Sequence, residues 1–212
     1  YPVRARSLPS IGNIIDGEVS IKDLKNVRVE DLLGRDPVPP DEQLLGGAIT
    51  GKTVLVSGAG GSIGAELCRQ VMLRNPRCLV LVEQSEFALY TILLELEESG
   101  ARDRGIAIAA QLADVSDGPA VRRIMERYRP DTVFHAAAYK HVPLVEANPI
   151  SGLRNNIMGT YHCCIEAERA GTSRFILVST DKAVRPTNIM GASKRVCELI
   201  VQARAEERRG NT

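Results

Sequence analysis

The sequence is poor in the residues that mark several common classes of protein. It contains no tryptophan, and aromatic residues make up only 4% of its 212 positions. Its five cysteines are odd in number, include no Cys-x-x-Cys pair and are too sparse for a disulfide-rich scaffold. His135, His141 and His162 share no metal-ligand spacing with the cysteines. We therefore expect reduced, buried thiols, as in a cytoplasmic protein, and no metal site.

Long hydrophobic runs and an excess of charge are also missing. No apolar run approaches the ~20 residues that a membrane-spanning helix needs, and the N-terminus does not look like a signal peptide. The net charge of +1 gives no electrostatic reason to expect nucleic acid as a partner. We expect this stretch to be soluble, which leaves open whether a longer parent protein is.

Residues 1–48 differ in composition from the rest of the chain. They are rich in proline, glycine and aspartate, and the cluster Pro37, Pro39, Pro40 breaks any regular element. The composition predicts an N-terminal arm or linker with one short helix over 29–34 ("VEDLLG"). We expect this arm to pack on a neighbouring domain or subunit.

The remaining residues, 49–212, alternate between apolar runs and helical patterns. Strands are predicted over 52–58, 78–83, 105–114, 131–138 and 174–180, and helices over 62–75, 85–100, 116–130, 148–171 and 188–209. This alternation predicts an α/β fold with a doubly wound parallel sheet. Because the chain stops after the last helix, we expect it to be truncated before a C-terminal substrate-binding part.

A glycine-rich turn follows the first predicted strand and opens the first of these helices. Glycines there permit a tight turn, let backbone amides approach a pyrophosphate and let the helix pack close to the strand. The strand–glycine–helix context favours a dinucleotide cofactor over an unliganded turn. The loop residues expected to bind it are Gly58, Gly60, Gly61, Ser62, Ile63 and Gly64.

The second predicted strand ends in Glu83, where a carboxylate accepts hydrogen bonds from ribose hydroxyls and repels a 2′-phosphate. No arginine follows it directly, so we expect NAD rather than NADP. Asp114 and Val115 are expected at the adenine edge, although Asp114 also suits the N-cap of the next helix. The small side chains of Ala136, Ala137 and Ala138 either leave room for the cofactor or serve tight sheet–helix packing.

Four segments together resemble a known family: "TVLVSGAGGSIGAELCRQ", "FHAAAYKHVPLVEANP", "NNIMGT" and "LVSTDKAVRPTNIMGASKRVCE". They are similar to the extended short-chain dehydrogenase/reductase superfamily, which has a Rossmann-like fold. More narrowly, they resemble the nucleotide-sugar 4,6-dehydratases of capsule and polysaccharide biosynthesis that act on UDP-N-acetylglucosamine. The likeness runs through about residues 50–210, and the N-terminal arm resembles the linker of the large, membrane-anchored members.

The resemblance implies a lyase with an internal redox cycle. Hydride leaves sugar carbon 4 for bound NAD, the proton on carbon 5 is removed, water leaves from carbon 6, and hydride returns to carbon 6. It also implies a UDP-sugar substrate and a location on the cytoplasmic side of the bacterial inner membrane. It is compatible with a homo-oligomer.

The same resemblance assigns roles to four residues. Lys182 matches the base at carbon 5, Asp181 the acid for the departing hydroxyl, and Thr180 the hydroxyl near the sugar 4-oxygen. Lys194 matches the lysine that holds the nicotinamide ribose. A lysine acts as a base only where burial or nearby positive charge lowers its pKa, and the adjacent carboxylate opposes this. The alternative is a plain loop ion pair between Asp181 and Lys182, although the pair is expected at the carboxyl end of a central strand, where such sheets bind ligands.

Met190 stands where most of the superfamily has the tyrosine that exchanges the hydroxyl proton, and the large membrane-anchored subgroup is similar in having methionine there. We hypothesise that Asp181 takes the 4-hydroxyl proton, directly or through a water, and later delivers it to the leaving hydroxyl. Three further residues match the family's segment after the fourth strand and are expected to face the sugar or the nicotinamide, or else to form a structural turn: Tyr139, Lys140 and His141. Asn156 is expected near the substrate, or else in a buried structural hydrogen bond.

Two other readings stay open at this point. A nucleotide-sugar 4-epimerase shares the fold and the first hydride step, but it normally needs the tyrosine and has no use for an Asp–Lys pair. A non-catalytic NAD-binding regulatory module would explain the glycine turn and Glu83, but not the residues around Asp181.

Overall fold

The computed structural model describes residues 6–7, 25–26 and 41–210. The chain divides into two compact units, residues 1–41 and 42–212. In the first unit, strands β1 (Arg6–Ser7) and β2 (Lys25–Asn26) pair antiparallel. The short helix expected over 29–34 lies outside the described residues. The other elements that the structure describes lie in the second unit.

The second unit alternates helices and strands along the chain. Its strands are β3 (Thr53–Ser57), β4 (Cys78–Glu83), β5 (Ala107–Leu112), β6 (Thr132–His135) and β7 (Arg174–Leu177). Its helices are α1 (Glu42–Ile49), α2 (Ser62–Leu73), α3 (Glu86–Glu98), α4 (Gly118–Tyr128), α5 (Val142–Ala147), α6 (Pro149–Leu153), α7 (Gly159–Arg169) and α8 (Ile189–Gly210). A π-helical turn (Arg154–Met158) joins α6 to α7, and a 3-10 turn (Asp181–Ala183) precedes α8.

The five strands of this unit form one parallel sheet in the order β5-β4-β3-β6-β7. From β3 the chain first adds β4 and then β5 on one side, and later β6 and then β7 on the other side. The direction in which strands are added therefore reverses at β3. The predicted α/β fold with a doubly wound, Rossmann-like parallel sheet is thereby confirmed. Because the carboxyl ends of parallel strands share one edge, the turns after β3, β4, β6 and β7 meet there.

Alternate side chains of the central strands enter two different cores. Val54, Val56 and Leu81 pack against the helices on one face of the sheet. Leu55 and Val80 pack with residues of α4 and α7 on the other face. Burial on both faces explains why these strands are continuous apolar runs rather than alternating ones.

The structure departs from the predicted elements in three places. The helix predicted as one piece over 148–171 is three pieces, because the π-helical turn interrupts it. Helix α5 was not predicted. Helix α1 lies at the end of the expected arm, yet it belongs to the second unit, where Ala48 and Ile49 enter the core and the carbonyl of Ala48 accepts a hydrogen bond from Thr132 Oγ1 at 2.7 Å.

Candidate active site

The glycine turn between β3 and α2 is built so closely that side chains are excluded from it. Gly58 has φ +69°, and a Cβ there would lie 2.7 Å from the backbone of Ala137. A Cβ on Gly60 would meet Ala88 Cβ at 2.5 Å, and one on Gly64 would meet the carbonyl oxygen of Gly58 at 1.9 Å. Helix α2 has no side-chain cap, so its first amides remain open to an anion. The turn therefore fits the diphosphate of a dinucleotide.

The carboxylate of Glu83 faces this turn from the end of β4. Its Oε2 accepts a hydrogen bond from the amide of Gly60 at 3.1 Å, and its Oε1 accepts from the amides of Gln84 and Ser85 at 2.9 and 3.0 Å. These three bonds fix the carboxylate beside the loop. It also lines a cavity of about 290 Å³ that extends to Val115. A carboxylate held at this place suits ribose hydroxyls and disfavours a 2′-phosphate.

A second cavity of about 310 Å³ continues from the glycine turn toward β7 and α8, and both cavities are lined by Gly58, Gly61, Ala136, Ala138 and Tyr139. We call the two cavities together the cleft. At its far end Lys194 is only 5% exposed, and its Nζ donates to the carbonyl of Val178 at 2.8 Å. Burial lowers the pKa of this lysine, while the nearby Cys197 and Glu198 oppose that shift.

The turn after β7 carries the three side chains with acid–base chemistry. Thr180 and Lys182 line the cleft, whereas the side chain of Asp181 is 87% exposed and does not. Thr180 Oγ1 donates to Asp181 Oδ1 at 2.9 Å, and Lys182 Nζ lies 3.3 Å from the same oxygen. The hydrogen bond from Thr180, and next that from Lys182, lowers the pKa of Asp181.

Helix α8 is held against this turn by close backbone packing. A Cβ on Gly191 would lie 2.3 Å from the carbonyl oxygen of Lys182. Asn188 caps the helix by accepting from the amide of Gly191 at 2.8 Å, and Glu146 of α5 accepts from the amide of Ile189 at 2.6 Å. The first turn of α8 therefore has a fixed position beside the acid–base residues. Met190 in that turn is 3% exposed and lines the cleft.

Asn156, in the π-helical turn, ties the wall of the cleft to α8. Its Oδ1 accepts from the amide of Tyr139 at 2.8 Å, and its Nδ2 donates to the carbonyl of Tyr139 and to Ser193 Oγ at 3.1 and 2.9 Å. At 1% exposure it does not reach the cleft. The buried structural hydrogen bonds expected as one alternative for Asn156 are therefore present, and its place near the substrate stays a prediction. π-helical turns are frequently found at functional sites.

The structure brings most of the expected site residues to the cleft. The expected cofactor and reactive residues that line it are Gly58, Gly60, Gly61, Ser62, Ile63, Gly64, Glu83, Val115, Ala136, Ala137, Ala138, Thr180, Lys182, Met190 and Lys194. Tyr139 and Lys140 line it too, and with His141 they border a neighbouring cavity of about 410 Å³. Lys140 Nζ lies 3.2 Å from Ser62 Oγ at the start of α2.

Two expectations for this edge of the sheet need correction. Asp114 is not the N-cap of α4: its Oδ1 accepts from the amide of Ser116, while Asp117 caps the helix. Its place at the adenine edge stays a prediction, and its neighbours Ala113 and Val115 line the cleft. Strand β7, which precedes the reactive turn, is an edge strand among the described strands rather than a central one.

Sequence reasoning also missed residues that help to form the site. Gln84, Ala88, Ala113 and Asn155 line the first cavity. The fully buried pair Ser57 and His135 lies directly beneath the cleft, with Ser57 Oγ 2.6 Å from His135 Nδ1. The last residues of two neighbouring buried strands were the available signal, since parallel strands place them side by side.

The described part of the chain shows no sign of a metal site or of a membrane span. No group of three or more histidine, cysteine, aspartate or glutamate side chains there could hold a metal ion. Within the same residues, no helix is long and apolar enough to cross a membrane.

Comparison with known proteins gives relatives along the whole second unit. The model of a family described as "Polysaccharide biosynthesis protein" matches residues 54–212. The capsular polysaccharide biosynthesis protein CapD of Staphylococcus aureus is 44% identical over 201 residues, covering 94% of this chain and 33% of that protein. A UDP-N-acetylglucosamine 4,6-dehydratase (inverting) of Campylobacter jejuni is 32% identical over 155 residues, covering 72% and 43%. A UDP-glucose 4-epimerase of Rickettsia canadensis is 30% identical over 165 residues, covering 76% and 46%.

Solved structures share the fold. Pen from Bacillus thuringiensis superposes with a TM-score of 0.64 at 29% identity, covering 73% of this chain and 45% of that one. DesIV, a dTDP-glucose 4,6-dehydratase from Streptomyces venezuelae with NAD bound, gives a TM-score of 0.61 at 22% identity, covering 71% and 51%.

This chain therefore spans about a third to a half of the length of the relatives it matches. The glycine turn, the parallel sheet and the reactive turn all lie within the residues that the family model matches. The chain belongs to the polysaccharide biosynthesis protein family, whose relatives include nucleotide-sugar dehydratases and epimerases.

Proposed function

We propose that the complete protein is an NAD-dependent nucleotide-sugar 4,6-dehydratase. Its substrate is UDP-N-acetylglucosamine and its product a UDP-4-keto-6-deoxy sugar for bacterial surface polysaccharide. The observation that carries the proposal is the composition of the reactive end of the cleft. Lys182 and Thr180 line it beside Lys194, and the carboxylate of Asp181 is adjacent. Met190 occupies the position of the tyrosine that exchanges the hydroxyl proton in most of the superfamily.

The cofactor site divides between the two ends of the cleft. The turn from Gly58 to Gly64 would hold the diphosphate, Glu83 the adenosine ribose, and Lys194 the nicotinamide ribose. NAD would supply a hydride acceptor that is regenerated when the hydride returns to the sugar. Glu83, and the absence of an arginine next to it, support NAD over NADP.

Proton transfer from the sugar 4-hydroxyl is assigned to Thr180 and Asp181 together. Asp181 lies outside the cleft, but Thr180 lines it and donates to the Asp181 carboxylate. The lowered pKa keeps Asp181 ionised at neutral pH, so it can accept a proton relayed through the threonine hydroxyl. Asp181 then holds the proton that the leaving 6-hydroxyl requires.

Lys182 would remove the proton on carbon 5 once the carbon 4 ketone has acidified it, and would return a proton to carbon 5 when the hydride returns to carbon 6. Only the neutral amine can act as this base, and Lys182 lines the cleft together with Lys194. Its Nζ lies 3.3 Å from the Asp181 carboxylate, which would by then carry the sugar proton. The pair therefore acts in a fixed order, first as acceptor through Asp181 and then as base through Lys182.

A 4-epimerase is the second candidate, because one relative at 30% identity carries that name. Met190 argues against it, since a thioether cannot exchange the proton on which the epimerase reaction depends. A non-catalytic module would need no Thr180, Asp181 and Lys182 at the cleft.

Mass spectrometry of the reaction product separates these functions. The complete protein is incubated with NAD and UDP-N-acetylglucosamine. Loss of one water from the sugar nucleotide is the expected result and supports the dehydratase. An isomer of unchanged mass would support the epimerase, and an unaltered substrate would support the binding module.

The cellular setting is proposed on the same basis. We propose a complete protein attached to the cytoplasmic side of the bacterial inner membrane by a part outside this chain, where UDP-sugars are available. Membrane fractionation tests this attachment, and recovery of the complete protein in the soluble fraction would contradict it.

A further inference from the structure

A line of buried polar side chains crosses the molecule directly beneath the cleft. Ser57 at the end of β3 and His135 at the end of β6 are register partners in the sheet, and both are 0% exposed. His135 Nε2 lies 3.0 Å from Thr160 Oγ1 on α7. Thr160 lies beside the thiol of Cys197 on α8, and that thiol donates to the carbonyl of Asn156 at 3.1 Å.

The two ends of this line lie next to the two ends of the cleft. Ser57 immediately precedes Gly58, and His135 immediately precedes Ala136, whose carbonyl carbon packs against Gly58. Cys197 follows Lys194 by three residues, which places both on one face of α8. The ring of His135 therefore connects the strand ends under the glycine turn to Thr160 on α7, and α7 packs against the helix that carries the cofactor lysine.

The chemistry of the ring suits this position. A neutral imidazole carries one donor and one acceptor, and the hydroxyls of Ser57 and Thr160 satisfy both in either tautomer. Burial, and then the charge of Lys194, lowers the pKa of His135 to about 3. The ring therefore stays neutral at physiological pH and adds no charge that would repel the lysine.

We propose that His135 is a positioning residue for the cofactor. Its bond to Thr160 sets where α8, and so Lys194, stands relative to the glycine turn. The inference rests on the NAD binding proposed above. A merely structural histidine would stabilise the fold without any preference for one end of the cofactor.

Two ligands distinguish these roles in calorimetric titrations of the complete protein. NAD spans the whole cleft, whereas ADP reaches the glycine turn and Glu83 but has no nicotinamide ribose for Lys194 to hold. We expect Thr160→Val to weaken NAD binding about tenfold, through loss of one buried hydrogen bond, and to leave ADP binding within about twofold.

Substitutions of His135 separate its two hydrogen bonds. The amide of His135→Asn reaches the place of Nδ1 and keeps the bond to Ser57, while that of His135→Gln reaches the place of Nε2 and keeps the bond to Thr160. We expect His135→Asn to weaken NAD binding about as much as Thr160→Val does, and His135→Gln to retain most of it. If Thr160→Val does not fold, this pair decides the question.

Thr132→Val is the matched control. Thr132 is a fully buried hydroxyl at the opposite end of β6, where it donates to the carbonyl of Ala48. This variant is expected to lower the melting temperature without changing the affinity for either ligand. Equal losses of NAD and ADP affinity in the His135 and Thr160 variants, or no loss in folded variants, would overturn the inference alone. Absence of NAD binding by the unaltered protein would overturn the proposed cofactor, and this inference with it.

Discussion

At the scale of single residues, the turn that carries Thr180, Asp181 and Lys182 places some of its side chains inside the cleft and one outside it. Thr180 lines the cleft, and Asp181, fully in solvent, accepts the threonine's hydrogen bond. The ionised carboxylate has a lone pair to accept a proton, while the hydroxyl in the cleft is placed to contact a sugar. In the proposed mechanism the turn combines contact with the substrate and acid–base capacity in neighbouring residues, which would compensate for the missing tyrosine.

Asp181→Asn tests this division of work. An amide cannot take up the proton that Thr180 relays, so both ketone formation and loss of water should fall by about 10²- to 10⁴-fold. NADH absorbance in single turnovers and mass spectrometry of the product measure the two steps separately. Thr180→Ser, which keeps the hydroxyl, should retain activity, whereas Thr180→Val should not. Near-normal ketone formation in Asp181→Asn with elimination lost would rule out Asp181 as the acceptor.

Glu83→Gln tests the choice of cofactor. The neutral amide would weaken the bonds to the ribose hydroxyls and remove the charge that repels a 2′-phosphate. We expect the preference for NAD over NADP to fall about tenfold in titrations with both cofactors. Glu86→Gln, at an exposed glutamate three residues later, is the control and should leave the ratio unchanged. An unchanged ratio in Glu83→Gln would show that another group selects the cofactor.

At the scale of elements, α8 and the turn after β7 behave as one piece of the site. Asn188 and Glu146 fix the start of the helix, Lys194 reaches back to Val178, and Gly191 allows contact with the backbone of Lys182. Backbone-to-backbone contact leaves little room for adjustment, because neither partner can rotate away as a side chain can. The relative position of the cofactor lysine and the acid–base residues is therefore set by main-chain packing.

Gly191→Ala should separate these two elements. The added methyl group would lie 2.3 Å from the carbonyl oxygen of Lys182, so the turn or the helix must shift. We expect the free energy of unfolding to fall by about 1–3 kcal/mol and the dehydratase rate to fall more than the affinity for ADP. Gly46→Ala in α1 is the control, since its new Cβ would meet nothing closer than 3.9 Å. Unchanged activity in Gly191→Ala would mean that the turn tolerates displacement.

At the scale of the whole molecule, the buried ring of His135 links stability to pH. The folded state keeps this ring neutral down to about pH 3, whereas the unfolded chain takes up a proton below about pH 6.5. The unfolded state therefore binds more protons in this range, and the free energy of unfolding falls as the pH falls. Lys194, the charged group that acts on the ring, adds to the effect.

Urea unfolding between about pH 7 and pH 5, above the range in which most carboxylates titrate, measures this linkage. The free energy of unfolding should fall by about 1.4 kcal/mol per pH unit at the acid end of that range. His135→Gln should be less stable at pH 7, but its free energy of unfolding should depend less steeply on pH. His141→Gln, at an exposed histidine, should show the same pH dependence as the unaltered protein. The same slope in His135→Gln would assign the acid sensitivity to other groups.

The sequence by itself determined the parts of this protein that depend on local pattern. Continuous apolar runs identified the five strands of the parallel sheet, since strands buried on both faces need no alternation. Glycine spacing located the turn after β3. The family resemblance supplied the reactive residues, most of which the structure brings to one cleft.

Only the tertiary structure decided what depends on contacts between distant residues. The line from Ser57 through His135 and Thr160 to Cys197 contains residues from four elements, β3, β6, α7 and α8, which no local pattern records. The same is true of the hydrogen bonds that Asn156 makes from the π-helical turn. Asp181 lies outside the cleft, while Thr180 and Lys182 line it. This difference follows from how the turn after β7 packs against α8. Hydrogen bonds and close packing across the sheet fix these positions, and they are set only when the whole chain is folded.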